Sequence, residues 1–246
     1  MNVKVSDQPP DPLRQVPEAI AHRGLHRTVP ENTLEAFRLA LNAGADAVEL
    51  DVHATADGVV VVHHDAIVAG TADDPQLRSR PTEELSIEEV SRFDLGGGAG
   101  VPRLEEVLDL LHGRARAYVE IKGWGIEKLV VQCVRESRTD CAIHSFDHQA
   151  IRRVRGLAAD IPRGLLEQDR PVDPAAVLLS AAARDLWPSA RTVDEKLVRA
   201  VHAAGGRVIA WTANSPAEWT RLTAAGVDGI CTDNVDLFVA WRSSGS

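Results

Sequence analysis

The sequence lacks a surplus of basic residues. It has 27 lysines and arginines against 36 aspartates and glutamates, which gives a formal net charge of −9. This balance argues against a nucleic-acid-binding surface, because such surfaces are normally basic. It still permits a small anionic substrate, since a bound divalent cation can reverse the local sign of the charge.

The sequence also lacks long apolar runs and paired cysteines. No run approaches the roughly 20 apolar residues of a membrane span, and none precedes the first prolines as a secretory signal would. The three cysteines form no CxxC motif, so neither a disulfide framework nor a zinc site is indicated. We therefore expect no membrane span, and a cytoplasmic, reducing location.

What the 246 residues do contain is an alternation of short apolar strands and helical patterns. This alternation predicts an α/β fold with a parallel sheet and crossover helices. The length suits a single (β/α)8 TIM barrel as well as two smaller domains. No composition break marks a second domain, so we expect a flexible tail over residues 1–16 and one domain over 17–242. Strands are predicted at 19–22, 47–52, 59–63, 118–121, 142–144, 163–166, 185–187, 208–211 and 229–231, and helices at 34–42, 104–111, 127–136, 148–157, 193–203 and 217–224.

The most informative segment, residues 47–65, predicts a β-hairpin. Its two apolar strands flank Asp57 and Gly58, a pair typical of a two-residue turn. With that turn, Asp51 lies directly opposite His64 and shares its face of the hairpin. Glu49, two residues earlier, points the same way, whereas His63 would face the other side. Buried carboxylates are costly unless they are paired or bind a metal, so we expect a cation site here.

Two flanking segments also carry expectations. Asn32 and Glu35 have the spacing of a capping box, so Asn32 is predicted to cap the following helix. Residues 66–100 are irregular, with one helical stretch and a glycine-rich run, and a long connection of this kind is usually functional or mobile. The glycines are weak evidence for a phosphate cradle. Few large apolar residues occur in this segment, which favours a water-soluble substrate.

Ionisable residues recur where the strands end, which is where barrel enzymes place their active sites. Glu49, Asp51 and Glu120 would form an all-oxygen site suited to Mg²⁺ or Ca²⁺. His22 and His64 could divide the work of general acid and general base, and the sequence does not say which is which. Arg23 and Lys122 are the cations best placed to hold an anionic phosphate.

The motifs AHRG, PENT, VELDVHATADGVVVVHHD, YVEIK, PRGLL, VIAWTAN and VDGICTD occur in this order. Together they resemble the glycerophosphodiester phosphodiesterase family, a member of the PLC-like phosphodiesterase barrels, from about residue 20 to 238. The resemblance implies a TIM barrel that hydrolyses glycerophosphodiesters, such as glycerophosphocholine or glycerophosphoethanolamine, to glycerol 3-phosphate and an alcohol. It implies one divalent cation, Mg²⁺ or Ca²⁺, held by Glu49, Asp51 and Glu120, with acid/base work by His22 and His64. It also implies phosphate contacts from Arg23 and Lys122, and Trp211 in the pocket wall.

The implied mechanism is an internal attack. The glycerol 2-hydroxyl, deprotonated by one histidine, would attack phosphorus while the other histidine protonates the departing alcohol. Water would then open the resulting cyclic phosphate. An attacking group already within the substrate benefits from proximity.

The sequence departs from the family pattern in two places. Residues 66–77 contain no arginine or lysine, and Thr232-Asp233-Asn234-Val235 lacks the usual proline. We expect neither departure to touch the metal or acid/base residues. Two alternatives stay open, a phosphodiesterase for lysophospholipids or other phosphodiesters, and a non-catalytic barrel. The oligomeric state cannot be read from the sequence.

Overall fold

The computed structural model describes residues 16–244. Eight parallel strands close into a barrel, because the first strand, Glu18–His22, pairs with Gly229–Thr232 on one side and with Ala47–Ala54 on the other. The predicted TIM barrel is therefore confirmed, while most of the predicted tail, residues 1–15, lies outside the described residues. The barrel strands are β1 (Glu18–His22), β2 (Ala47–Ala54), β6 (Arg116–Ile121), β7 (Cys141–Ser145), β8 (Arg163–Glu167), β9 (Asp185–Pro188), β10 (Arg207–Ala210) and β11 (Gly229–Thr232).

Helices connect the barrel strands. Many of them begin after an N-cap residue whose side chain accepts a hydrogen bond from a backbone amide of the first turn, as in Asp173, Asp194 and Ser215. The six predicted helices are present, two more follow β8 and β11, and the helical stretch expected within residues 66–100 forms a short ninth helix. The helices are α1 (Leu34–Asn42), α2 (Ile87–Val90), α3 (Leu104–Leu111), α4 (Glu127–Glu136), α5 (His148–Leu157), α6 (Pro174–Ser180), α7 (Glu195–Ala203), α8 (Pro216–Ala225) and α9 (Val235–Ser243). Among these helices of residues 16–244, none is long and apolar enough to cross a bilayer.

The start of α1 differs from the prediction. Thr33 is the N-cap, and its hydroxyl accepts a hydrogen bond from the Ala36 amide at 3.2 Å. Asn32 is left-handed, with φ of 55°, and its side chain points to Asp51 instead. The prediction that Asn32 caps the helix is therefore wrong, because a buried carboxylate binds its amide.

The hairpin forms with a register one residue away from the predicted one. Strand β3 (Val60–Val62) runs antiparallel to β2 and pairs Val62 with Val52. The Thr55 amide donates to the Val59 carbonyl at 2.9 Å, so the turn has three residues and ends at Gly58, whose φ is 83°. Such a turn adds one residue to the loop.

The shifted register exchanges the predicted positions of His63 and His64 relative to Asp51. His63, not His64, aligns with Asp51, and its amide donates to the Asp51 carbonyl at 3.1 Å. Its ring is buried against His53, with centroids 4.7 Å apart, and its Nε2 lies 2.8 Å from the Thr82 hydroxyl. His64 lies beyond the end of β3 and is free to turn elsewhere.

Residues 66–100 are more ordered than their sequence suggests. They contain a small antiparallel pair, β4 (Thr71–Ala72) with β5 (Phe93–Asp94), and a separate apolar cluster that includes Val68, Leu85 and Phe93. In the glycine-rich run, the amides of Gly96 and Gly98 donate to the Asp94 carboxylate. These amides are already occupied by a side chain, which argues against a phosphate cradle.

Two apolar layers position the site. The larger one lies between the strands and the helices, and the smaller one fills the barrel interior. The interior layer consists of Ile20, Ala47, Tyr118, Ala142, Leu166, Trp187, Ile209 and Cys231. Because side chains alternate along a strand, the residue two positions further also points inward. That next inward row begins the candidate site.

Candidate active site

Two residues beyond the interior apolar layer, the inward positions of all eight strands are polar or aromatic, and six of them carry an ionisable group or an indole ring. These six are His22, Glu49, Glu120, His144, Trp211 and Asp233. The apolar layer closes the barrel beneath them, so this row of residues faces a cavity of about 230 Å³ at the carboxyl ends of the strands. Apart from Asp233, these side chains line that cavity, together with Arg23, His64 and Lys122.

The two glutamates are buried side by side. Glu49 is 3% exposed and Glu120 is 6% exposed. Burial, and then the negative charge of Asp51, raises the pKa of Glu49 to about 7. Burial raises the pKa of Glu120 to about 7 as well, against the opposing charge of Lys122. Neither carboxylate is fully compensated by the protein, which is the condition in which a bound cation lowers the free energy most.

Asp51 lies beside the glutamates but has its own partners. Asn32 donates to its Oδ2 at 2.9 Å, and the Arg23 Nε lies 3.1 Å from the same oxygen. Lys122 Nζ lies 3.6 Å from Oδ1 and 2.9 Å from Glu120 Oε1. Burial alone would raise the pKa of Asp51, but Arg23 and Lys122 reverse that effect and lower it. The two predicted phosphate-binding cations are thus held directly against the carboxylates.

The Arg23 backbone is fixed by the turn after β1. Its φ is 55°, and its amide donates to the Glu49 carbonyl at 2.9 Å. Gly24 follows with φ of 85°, and a Cβ there would lie 2.7 Å from the Ala36 carbonyl carbon. Only glycine fits this close contact with the Ala36 backbone, so the turn fixes the positions of His22 and Arg23 at the carboxyl ends of the strands.

His144 lies with the carboxylates, although no role was predicted for it from the sequence. Its Nε2 lies 3.5 Å from Glu49 Oε1, and its ring packs edge-on against Trp187 at 4.4 Å. Burial lowers the pKa of His144 to about 4, so the imidazole is neutral. Donor atoms of Glu49, Glu120 and His144 lie within 4.8 Å of one another, and among residues 16–244 no group hydrogen-bonds to Glu49 Oε1 or to the His144 nitrogens. These donors fit a divalent cation.

His22 is held by Asp233, and the sequence did not predict this pair. The His22 Nδ1 lies 2.6 Å from Asp233 Oδ1, while its Nε2 faces Glu49 Oε2 at 4.0 Å. Burial would raise the pKa of Asp233, but hydrogen bonds from His22 and His26 hold that pKa far below its usual range. The departure noted in the sequence, the missing proline, falls at Val235, whereas Asp233 belongs to the part of the motif that matches the family. The sequence feature that could have identified Asp233 is its position at a strand end, in the inward-facing row.

His64 also lines the cavity. Its Nδ1 lies 2.8 Å from Asp65 Oδ1, and its backbone carbonyl lies 3.1 Å from the His53 Nε2. Both candidate histidines therefore bind a carboxylate through Nδ1. This pattern favours the tautomer that leaves Nε2 free to exchange a proton.

Aromatic side chains complete the wall. Trp211 donates from its indole to the Trp187 carbonyl at 2.8 Å, and its ring meets Phe146 edge-on at 5.3 Å. Trp211 thus lies in the cavity wall, where it was expected. The structure brings the predicted residues into one region, with Asp51 just outside the cavity lining. Their individual roles stay predictions.

Comparisons with known proteins agree with this architecture. The model of the Glycerophosphoryl diester phosphodiesterase family matches residues 22–237. A glycerophosphodiester phosphodiesterase of Caldanaerobacter subterraneus is 33% identical over 89% of this chain and 95% of its own length. One from Bacillus altitudinis is 31% identical, over 90% of this chain and 96% of its own.

Solved structures show the same fold. A glycerophosphodiester phosphodiesterase from Agrobacterium tumefaciens superposes with a TM-score of 0.79 at 29% identity, covering 91% of this chain and 99% of that one. An Oleispira antarctica phosphodiesterase, solved in complex with the product sn-glycerol-3-phosphate, gives 0.84 at 24% identity, covering 93% and 97%. The matches span nearly the whole barrel, and the chain therefore belongs to the glycerophosphoryl diester phosphodiesterase family of hydrolases.

Proposed function

We propose that this chain hydrolyses small glycerophosphodiesters to glycerol 3-phosphate and an alcohol. The observation that carries the proposal is the convergence of buried carboxylates, two carboxylate-bound histidines and two cations around one cavity. Family relatives bear the name of this activity, and the Oleispira protein binds the product. Glycerophosphocholine and glycerophosphoethanolamine are the substrates that we propose.

Glu49, Asp51 and Glu120 are proposed to hold one divalent cation, with His144 close enough to join them. Hard carboxylate oxygens suit Mg²⁺ or Ca²⁺. When bound, the cation would supply Lewis-acid polarisation of a phosphate oxygen and lower the pKa of a coordinated hydroxyl. The incompletely compensated charge of the two buried glutamates supports this assignment.

His22 and His64 are proposed to move the protons. Each ring is oriented through Nδ1, so each can present Nε2 to a substrate between them. One takes the proton of the glycerol 2-hydroxyl as that oxygen attacks phosphorus, and the other protonates the departing alcohol. Water then opens the cyclic phosphate with the two roles exchanged.

Arg23 and Lys122 are proposed to bind the phosphate. They lie within 3.6 Å of Asp51 or Glu120, so a cation that neutralises these carboxylates would leave both side chains available to an anionic substrate. Trp211 would pack against the apolar atoms of the bound molecule. A cytoplasmic location stays a prediction, based on the three free cysteines.

The proposed function is tested by measuring glycerol 3-phosphate release from glycerophosphocholine, with and without a chelator. We expect the chelator to abolish turnover, and His22→Ala or His64→Ala to lower kcat by about 10²-fold or more. His112→Ala, a change at the far end of α3, is the matched control and should retain activity. Undiminished turnover in chelator, or in both histidine variants, would contradict the proposal.

A substrate that lacks the 2-hydroxyl tests the internal attack. We expect no turnover of this deoxy analogue, although it should still bind. Turnover equal to that of the parent diester would exclude internal attack while leaving the hydrolase activity intact.

A further inference from the structure

Two aromatic side chains are exposed beside the cavity, on the loops that follow β6 and β7. Trp124 is 84% exposed and Phe146 is 42% exposed. Within residues 16–244 the Trp124 indole makes no hydrogen bond, ring contact or cation contact. An aromatic ring left free at a cavity rim is a surface available for binding.

Both rings line a groove that continues the active-site cavity. The groove has a volume of about 160 Å³ and shares Glu120, Lys122 and Phe146 with that cavity. The cavities beside Asp65 and beside Pro81 each share only one lining residue with the active-site cavity. The groove is therefore the better extension of the binding site for a substrate that is too large for the active-site cavity.

The size of the cavity requires such a continuation. At about 230 Å³ it falls below the roughly 300–1,000 Å³ of pockets that enclose drug-sized ligands. With a glycerol phosphate unit in this cavity, as the proposed function requires, the alcohol on the other side of the phosphate would extend past the rim.

The groove carries the chemistry that recognises an organic cation. Phe146 already has an ammonium over its face, since Lys122 Nζ lies 5.7 Å from the ring centroid. Asp147 lines the same groove as both rings. Its carboxylate shares the Arg153 guanidinium with Glu127, at 3.0 and 2.7 Å. Glu120 and Lys122 also line the groove, but they pair at 2.9 Å and offset each other, so one arginine between two carboxylates leaves a net negative charge at this edge.

We propose that the groove between Trp124 and Phe146 binds the ammonium of the leaving alcohol, and so selects amino-alcohol head groups. This inference rests on the proposed function, which places the phosphate in the adjoining cavity. Trp124 provides a cation–π face, and Asp147 provides charge complementarity. Neutral head groups of equal shape gain only the apolar contact.

The test compares glycerophosphocholine with its neutral isostere, in which a tert-butyl group replaces the trimethylammonium. The ratio of kcat/KM values isolates the charge. We expect wild type to prefer the choline ester by about fivefold or more, and Trp124→Ala to reduce that ratio by about threefold or more. Asp147→Asn should act likewise, because asparagine retains the helix cap that Asp147 provides to α5. Val172→Ala, an exposed residue outside the groove, is the matched control.

Titration calorimetry of both ligands on His22→Ala measures the same preference without turnover. A preference that persists there while wild type hydrolyses neither ester supports the groove and overturns the proposed function. Equal binding of the two ligands, a ratio unchanged in Trp124→Ala, or equal losses for both esters would overturn the groove assignment.

Discussion

Replacing Asp233 with asparagine tests how the fold orients the first histidine. Asp233 Oδ1 lies 2.6 Å from His22 Nδ1, and Asn214 donates to the other oxygen at 2.5 Å. An asparagine at this position keeps the size of the side chain but removes its charge. It also lets an amide N–H face Nδ1, which would move the ring proton to Nε2, where the proposed chemistry needs an exchangeable site.

The magnitude follows from the hydrogen bond that is lost. A hydrogen bond to a charged group contributes about 1.5–3 kcal/mol, and each 1.36 kcal/mol of barrier is about tenfold in rate. We therefore expect Asp233→Asn to lower kcat by about 10- to 150-fold, with KM and cation affinity little changed. Steady-state kinetics and calorimetric titration of the cation measure these quantities.

The His64–Asp65 pair is the matched comparison. Asp65 is 66% exposed in its side chain, against 32% for Asp233. Water competes for exposed pairs, so their contribution is small, and Asp65→Asn should cost less than about tenfold. A wild-type kcat in Asp233→Asn, or a larger loss in Asp65→Asn, would refute this reasoning.

Three further predictions concern the surroundings of the carboxylates. Asn32→Ala should destabilise the fold by about 1–3 kcal/mol, because Asp51 loses a buried hydrogen bond. Asn32→Gly should cost less, since glycine tolerates the left-handed φ; equal urea midpoints for the two variants would contradict this. Gly24→Ala should lower both stability and kcat, because its Cβ meets Ala36, and unchanged kinetics would show that the turn does not position His22. The raised pKa values of Glu49 and Glu120 mean that the folded state binds protons more tightly than the unfolded chain. Stability of the cation-free protein should therefore fall as pH rises from about 4.5 to about 7. The Tm increase caused by Ca²⁺ should grow over the same range, and an increase independent of pH would argue against these two ligands.

Much of the barrel could be predicted because its strands are apolar runs bounded by clear turns. The ranges of β1, β6 and β8 were predicted to within two residues at either end. The errors in the prediction arise where two local conformations differ little in free energy. Asp57-Gly58 suits both a two-residue turn and a three-residue turn, and only the ladder from Thr55 to Val59 decides between them. Asn32 and Thr33 are both good caps, and the choice depends on the distant Asp51.

The candidate site was predictable to the extent that it follows strand ends. Glu49, Glu120 and Trp211 continue the inward rows, as expected from alternation along a strand. His144 follows the same rule, but its role emerges only from its distance to Glu49. The His22–Asp233 pair joins residues 211 positions apart, and no local pattern reveals it. The exposed Trp124 is equally invisible, since exposure depends on the packing of its loop.

A crystal structure with Mn²⁺ or Ca²⁺ and glycerol 3-phosphate tests the central claim most directly. We expect one ion within about 2.6 Å of oxygens from Glu49, Asp51 and Glu120, with the phosphate against Arg23 and Lys122 and a histidine on either side. An ion bound instead by His22, His26 and Asp233, which also lie close enough to share one, would contradict the account.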